Sequence, residues 1–487
     1  MSAQQGSSTL ENGDFERTFD VVVIGAGWAG IAAANTLNEL GITNIIVLEA
    51  RNYIGGRSVT SYELGRDSPV DLGSTFVHGR INNPVQEMVE ANRVPHASVA
   101  NENAVFDSHG RRCTESEVGK LWQIYKRFDS YVKEKQDRAV EDDEEDEDDT
   151  CLQSALAKFI EQEQIHDDFE GQVGLKWTTD TVIAQEYAAS LSELSLRWFD
   201  YDTELKGGDT YLAVPQGGHS AVIENYASPI ASHVQLQSIV TSVDYTEELT
   251  KIIYVNGKAG ASECIWARHV LVTLPVGVLK EGSVEFVPPL PESKQRAIEK
   301  IGFGLLNKCV LYWNDMEDRD VFWPKDRDWI MRVATCDATT PQGRWSEFYN
   351  AYAVNGGRPI LEGQVVGEHA WRMEDQSDEE VTADAVHSLR EMFGADKVPP
   401  PSHALITRWG KDKFARGSYS FATMGFRPSK RAQLAKPIEN RLWFAGEATN
   451  AKHPGTTHGA LLSGERYAKL IADEVLHWRG GNGESST

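Results

Sequence analysis

Asp20-Val-Val-Val-Ile-Gly-Ala-Gly-Trp-Ala-Gly30, followed by Glu49-Ala-Arg51 and Gly55-Gly-Arg57, decides how this chain begins to fold. It reads as a strand, a glycine turn, a helix, a second strand ending in an acid, and a further glycine-arginine turn. Phe19 to Ile24 has the β-branched content of a buried parallel strand. Gly25 suits the tight turn, Gly27 lets backbone approach a pyrophosphate, and Gly30 lets the following helix pack close to the strand. A helix starting near Trp28 turns its positive end towards phosphates. Glu49 closes the apolar run Ile45 to Leu48, where a carboxylate accepts hydrogen bonds from ribose hydroxyls and repels a 2′-phosphate. Strand, helix, acid and spacing together predict an adenine dinucleotide site. The glycine spacing alone does not separate NAD from FAD.

A chain of 487 residues is too long for one simple core, so two domains are expected. No run approaches the roughly eighteen apolar residues of a membrane span, and no membrane partner is expected. The polar stretches 1–17 and 479–487 read as disordered tails. Cys113, Cys151, Cys264, Cys309 and Cys336 are scattered without metal-ligand spacing, which suggests free thiols in a reducing compartment and no metal site. The cytoplasm is the expected location; the C-terminus lacks the Ser-Lys-Leu address, although the peroxisome stays open. A formal charge of −25 argues against nucleic acid as a partner and suits a cationic substrate drawn in by the protein's field. Nine acidic residues run unbroken from Glu141 to Asp149. They read as a solvated loop over 139–150, with substrate recruitment as the other reading.

The pattern along the chain predicts a nucleotide domain assembled from segments 18–94, 207–289 and 401–478. A second domain then takes 95–206 and 290–400. Helices are expected over Val118 to Val132 and Leu152 to Gln164, and strands near Val234, Val240 to Tyr245, Lys251 to Val255, Cys264 to Leu274 and Lys308 to Trp313.

The later segments carry a more specific resemblance. Arg51-Asn-Tyr-Ile-Gly-Gly-Arg57 resembles the second FAD signature of the flavin-containing amine oxidases. Leu442-Trp-Phe-Ala-Gly-Glu-Ala-Thr449 with Thr456-Thr-His-Gly-Ala-Leu-Leu-Ser-Gly464 resembles the flavin-contacting end of the polyamine oxidases in that family. A helix from about His458 would bury Ala460, Leu461, Tyr467, Ile471 and Val475, and its N-terminus would favour negative charge on the flavin. The resemblance implies an α/β class chain, with a Rossmann-type FAD domain built from separated segments beside a mixed α+β substrate domain. It also implies FAD held noncovalently, since Ser418 stands where monoamine oxidases carry the flavin-linked cysteine.

Residue by residue, the resemblance assigns Gly25, Gly27, Gly30, Glu49, Arg51, Gly56 and Arg57 to the cofactor. Gly73, Ser74 and Thr75 in Asp71-Leu-Gly-Ser-Thr-Phe-Val-His-Gly79 join them, as do Val240, Trp409, Gly446, Glu447 and Thr457. Glu447 can reach a ribityl or phosphate-side hydroxyl. Lys308, in Gly302-Phe-Gly-Leu-Leu-Asn-Lys308, matches the lysine that the family holds beside flavin N5 through a water. Trp409 and Tyr419 match the aromatic cavity, where a ring face attracts an ammonium. His78 could hydrogen-bond the amine or relay its proton. The facing acid is Asp202 or Glu204, and Thr456 stands where the plant enzymes carry a second aromatic.

The implied reaction is FAD-dependent oxidation of an amine, most like the polyamine oxidases, with dioxygen as acceptor and a small cationic amine as substrate. Oxidation of monoamines or other amines is the alternative, and a flavin-binding partner protein without turnover is the alternative of another class. Histone demethylases share Ala415-Arg-Gly-Ser-Tyr-Ser420, but the helical insertion and N-terminal module that they add are not found in this sequence.

Overall fold

The computed structural model describes residues 17–91, 93–100, 102–136, 149–207, 211–213, 217–333 and 345–483. Its first half-domain forms as the glycine pattern predicts. Strand Thr18–Ile24 is buried on both faces and runs parallel to Ile45–Leu48 on one side and to Ser262–Val272 on the other. Gly25 turns the chain with φ of 102°, and helix Trp28–Glu39 follows. A Cβ at Gly30 would collide with the Gly25 carbonyl, so only glycine lets the helix sit this close to the turn.

These strands belong to an eight-stranded sheet in the order Glu285–Val287, Ser238–Asp244, Thr250–Asn256, Ser262–Val272, Thr18–Ile24, Ile45–Leu48, Val234–Gln235. The eleven-residue strand Ser262–Val272 serves two neighbours along one edge. Its first half pairs antiparallel with Thr250–Asn256 and its second half pairs parallel with Leu442–Phe444. The C-terminal segment thereby returns to the glycine turn. Helix Thr457–Gly483 then packs on Trp28–Glu39, burying Leu461, Tyr467, Ile471 and Val475, with Ala460 at the edge of the same core.

The second sheet has six strands in the order His403–Ile406, Leu306–Tyr312, Ile360–Val366, Glu347–Asn350, Trp329–Arg332, Asn103–Phe106. Helices Glu115–Lys135 and Leu152–Gln162 lie over the expected stretches. A three-stranded sheet of Phe76–Val77, Tyr211–Ala213 and Ala97–Val99 stands apart from both.

Several expected boundaries change. His403–Ile406 pairs with Leu306–Tyr312, so the segment expected to return to the nucleotide domain at 401 first adds a strand to the six-stranded sheet. Strand Asn103–Phe106 gives the stretch 95–206 a place in that sheet as well. The expected tail 479–487 starts inside the last helix, where Arg479 donates to Asp20 at 2.6 Å. Arg17, assigned to the other tail, donates to Glu263 at 2.8 Å. Residues 1–16, Cys336 and most of the acidic loop 139–150 lie outside the described residues. Asp149, at the end of the acidic run, accepts a hydrogen bond from Ser195 at 2.6 Å. No helix among the described residues is long and apolar enough to cross a membrane.

Candidate active site

One cavity of about 1000 Å³ extends from the glycine turn of the first sheet to the face of the second. Every residue assigned above to cofactor, catalysis or substrate lines it except Gly30, whose place is beneath the turn.

At the nucleotide end the backbone itself forms the wall. Gly27 caps the helix with φ of −76°, and a Cβ built there meets no atom within 4 Å, so its backbone faces open cavity. Gly56 lies against Gly27, and Gly55 N donates to the Ala26 carbonyl at 2.8 Å. Glu49 is held by the Ala26 amide at 2.7 Å and the Arg51 amide at 2.8 Å. Burial pushes its carboxyl above the usual range despite those two donors. Val240 lies on strand Ser238–Asp244, tied in where Ser238 N donates to the Glu49 carbonyl at 2.7 Å. Arg51 forms a bidentate pair with Asp412 at 2.7 and 2.9 Å, and its guanidinium lies over Trp409 and Phe414.

Glu447 lines the cavity and is held by the chain itself. Its oxygens accept from Arg57 at 3.2 Å, Ser420 at 2.5 Å and the Gly455 amide at 2.9 Å. Burial acts to raise this carboxyl, but Arg57, Arg431 and the hydrogen bonds outweigh it and hold it low. Three donors from separate segments thus tie Glu447 into a protein network. Arg431, which the sequence reading did not single out, is fully buried in that network and donates to Ser420 at 2.7 Å.

Lys308 is buried on strand Leu306–Tyr312. Its Nζ donates to the Asp71 carbonyl at 2.8 Å and to the Thr75 hydroxyl, and lies 3.5 Å from Glu362. Burial raises both carboxyls, with Asp71 reaching about 7, and Lys308 opposes each shift. His219, behind the same loop, is pushed down to about 4, chiefly by burial and secondarily by Lys308, so its imidazole is neutral at physiological pH. Trp409 is fixed by its indole N–H to the Leu72 carbonyl at 3.0 Å, against Gly73. Tyr419 donates to the Gln185 carbonyl at 2.9 Å.

His78 projects into the cavity from a loop locked to the segment that carries the acids. Arg80 and Ile81 amides donate to the Lys206 carbonyl at 3.1 and 2.8 Å. The His78 side chain is exposed to the cavity; desolvation by the cavity walls lowers it, with Glu204 pulling the other way. The charge of Glu204 therefore lies close enough to His78 to favour its protonated form. Asp202 is raised to about 6, first by burial and then by Glu186, and it lies within the field of Arg431. Thr456 accepts from the Gly459 amide at 2.9 Å, which makes it the N-cap of the last helix. That task explains a threonine where a second aromatic was looked for. Ser418 exchanges two hydrogen bonds with the Leu306 backbone at 2.9 and 3.0 Å.

Glu347, Glu362 and Gln364 escaped the sequence reading. Their signal was present as polar residues within otherwise apolar strands, Glu347–Asn350 and Ile360–Val366, where an unpaired carboxylate is costly. Among the described residues no cluster of His, Cys, Asp and Glu suits a metal ion.

A family model described as flavin containing amine oxidoreductase matches residues 28–472. Lysine-specific histone demethylase 1 homolog 3 of Arabidopsis thaliana is 31% identical over 95% of this chain, which corresponds to 30% of that protein. Polyamine oxidase 2 of the same plant is 30% identical over 94% of this chain and 89% of its own length. Across four plant demethylase relatives, the chain spans 30% to 58% of their length. Among solved structures, cyclohexylamine oxidase from Brevibacterium oxydans IH-35A matches with a TM-score of 0.74 at 20% identity, over 94% of this chain and 99% of that one. At that identity the likeness speaks for the fold.

Proposed function

Since the chain belongs to the flavin-containing amine oxidoreductases, we propose that it binds FAD noncovalently and oxidises the carbon next to an amine nitrogen, with polyamines as its substrates. The observation that carries this reading is Lys308, a buried cation facing the cavity onto which the glycine turn opens. The residues fit the cofactor. Gly27 leaves its backbone open to a pyrophosphate, Glu49 is oriented by two amides beside it, and Arg57 is anchored by Glu447 in the middle of the cavity. Ser418 binds backbone on both its donor and acceptor sides, which suits a flavin without a covalent link.

FAD, when bound, supplies the hydride acceptor, and dioxygen restores it with release of hydrogen peroxide. The chain's own residues orient the amine and manage its protons. A C–H hydride leaves the substrate, a C=N bond forms, and water converts the imine to an aldehyde and a smaller amine. The ring faces of Trp409 and Tyr419 attract the incoming ammonium. Glu186, Asp202 and Glu204 line the same space and favour a cation. His78, neutral above its lowered pKa, can accept a hydrogen bond from the amine. Lys308 fixes the loop at Asp71 and Thr75 and provides a positive charge.

Demethylase-named relatives match as well as polyamine oxidases do, which supports a second reading with an amine carried on a protein side chain. Peroxide release tested against pH with spermidine and with a methyl-lysine peptide separates the two. Asp202 and Glu347 have raised pKa values of about 6 and about 7, so they are neutral below those values and charged above them. The substrate nitrogen must also lose its proton before hydride transfer. Both effects make kcat/KM for spermidine climb from pH 6 towards an alkaline optimum. A profile that falls through neutrality, or turnover of the peptide alone, contradicts the polyamine reading.

A further inference from the structure

The turn after Glu447 is organised by its own side chains. Asn450 Oδ1 accepts from the Lys452 and His453 amides at 3.0 and 3.1 Å, and Asn450 Nδ2 donates to the Gly459 carbonyl at 3.0 Å. The Thr456 hydroxyl donates to the His453 carbonyl at 3.0 Å. His453 therefore belongs to a loop closed onto the start of the last helix, and it lines the cavity. The ring of His458, with its centroid 5.1 Å away, lies beside the His453 ring.

From that loop His453 reaches the segment that carries two of the cavity's acids. Its Nδ1 lies 2.7 Å from the Thr203 carbonyl oxygen. A carbonyl only accepts, so Nδ1 carries the proton and donates, which fixes the tautomer. The Thr203 amide in turn donates to the Lys452 carbonyl at 2.8 Å. These two bonds hold the successive peptide groups that join the α-carbons of Asp202, Thr203 and Glu204. Peptide groups are planar, so holding both fixes the backbone from which the two carboxyls extend. Asp202 and Glu204 both line the cavity. Farther along, the Lys206 carbonyl accepts from the Arg80 and Ile81 amides. The acids thus hang from a strap clasped between two loops of the cavity wall, and His453 is a side-chain donor to that clasp.

We propose that His453 is a positioning residue for amine binding: by clasping Thr203 it preorganises Asp202 and Glu204 for the substrate's ammonium, and it takes no part in hydride transfer. The proposal rests on the amine-oxidase reading above. Without the donor the strap is looser, and the two carboxylates must be ordered at each binding event, which weakens binding. The saturated complex still presents the same carbon to the flavin, so its rate of reduction is kept.

The test reads the dissociation constant and the limiting rate of anaerobic flavin reduction by spermidine in the wild-type holoenzyme, His453→Leu and His453→Asn. Leucine has no donor, whereas asparagine carries its amide nitrogen on Cγ as histidine carries Nδ1. His453→Leu is expected to weaken spermidine binding about 2- to 10-fold, the range of one hydrogen bond. Its limiting rate stays within about twofold of wild type. His453→Asn binds as wild type does. Added to a variant that already carries Asp202→Asn and Glu204→Gln, His453→Leu weakens binding no further, because the clasp acts through those carboxyls. Full additivity there, a slower limiting rate at unchanged affinity, or an asparagine variant as weak as the leucine one overturns the proposal. Loss of flavin from His453→Leu overturns it too, since the histidine then supports the cofactor loop. Bleaching of His453→Leu with wild-type affinity sinks the clasp alone. An absence of bleaching by any amine in wild type sinks the amine-oxidase reading and the clasp with it.

Discussion

In Lys308→Met the purified protein carries as much flavin as wild type, while amine-driven flavin reduction slows by about 100-fold or more. The lysine touches Asp71, Thr75 and Glu362 and none of the glycine turn, so the turn's own hold on a dinucleotide does not depend on it. Its removal also leaves Glu362 buried without a cation. Burial already raises that carboxyl with Lys308 present, and losing the lysine raises it further. A carboxyl whose folded pKa lies above its unfolded value favours folding at low pH and loses that contribution as pH rises through the folded value. The variant should therefore melt close to wild type under mildly acidic conditions and fall progressively below it towards alkaline pH. Loss of flavin from Lys308→Met would make the lysine a structural residue.

Gly27→Val should purify folded and colourless. At φ of −76° the Gly27 backbone accepts any residue, and its Cβ would point into open cavity. The valine then occupies the space where a pyrophosphate would approach the helix N-terminus. Its circular dichroism should match that of wild type stripped of flavin, and no FAD should survive gel filtration. Gly30→Val must differ, because there the new side chain strikes the Gly25 carbonyl and breaks the fold itself. Two glycines three residues apart thus separate binding from folding. A yellow Gly27→Val protein would remove the pyrophosphate reading of this turn.

What could be read without coordinates was what lies close together in the chain. Gly25, Gly27, Gly30 and Glu49 act within one strand-helix-strand unit, and their spacing alone carries the geometry. The inward residues of the last helix followed from its period. Lys308 was visible because a lysine inside an apolar strand is anomalous. The residues that escaped act through register. Glu347 and Glu362 join the sheet face that carries Lys308 only when the strands Leu306–Tyr312, Ile360–Val366 and Glu347–Asn350 pair. The role of Thr456 was hidden for another reason, since a cap is recognised only when the helix start is known. Glu447 was recognised as a site residue, yet its partners Arg57, Ser420 and Gly455 come from other segments, so the sequence could not reveal the network that holds it. His403–Ile406 was assigned to the wrong sheet because a four-residue strand carries no label for its partner.

If this cavity joins a bound flavin to an amine, anaerobic mixing of the holoenzyme with spermine, spermidine, their acetylated forms and benzylamine reveals it in the flavin spectrum. The free polyamines should bleach the flavin rapidly, with colour and peroxide returning on admission of air. A protein that holds FAD and stays yellow with every amine would contradict it.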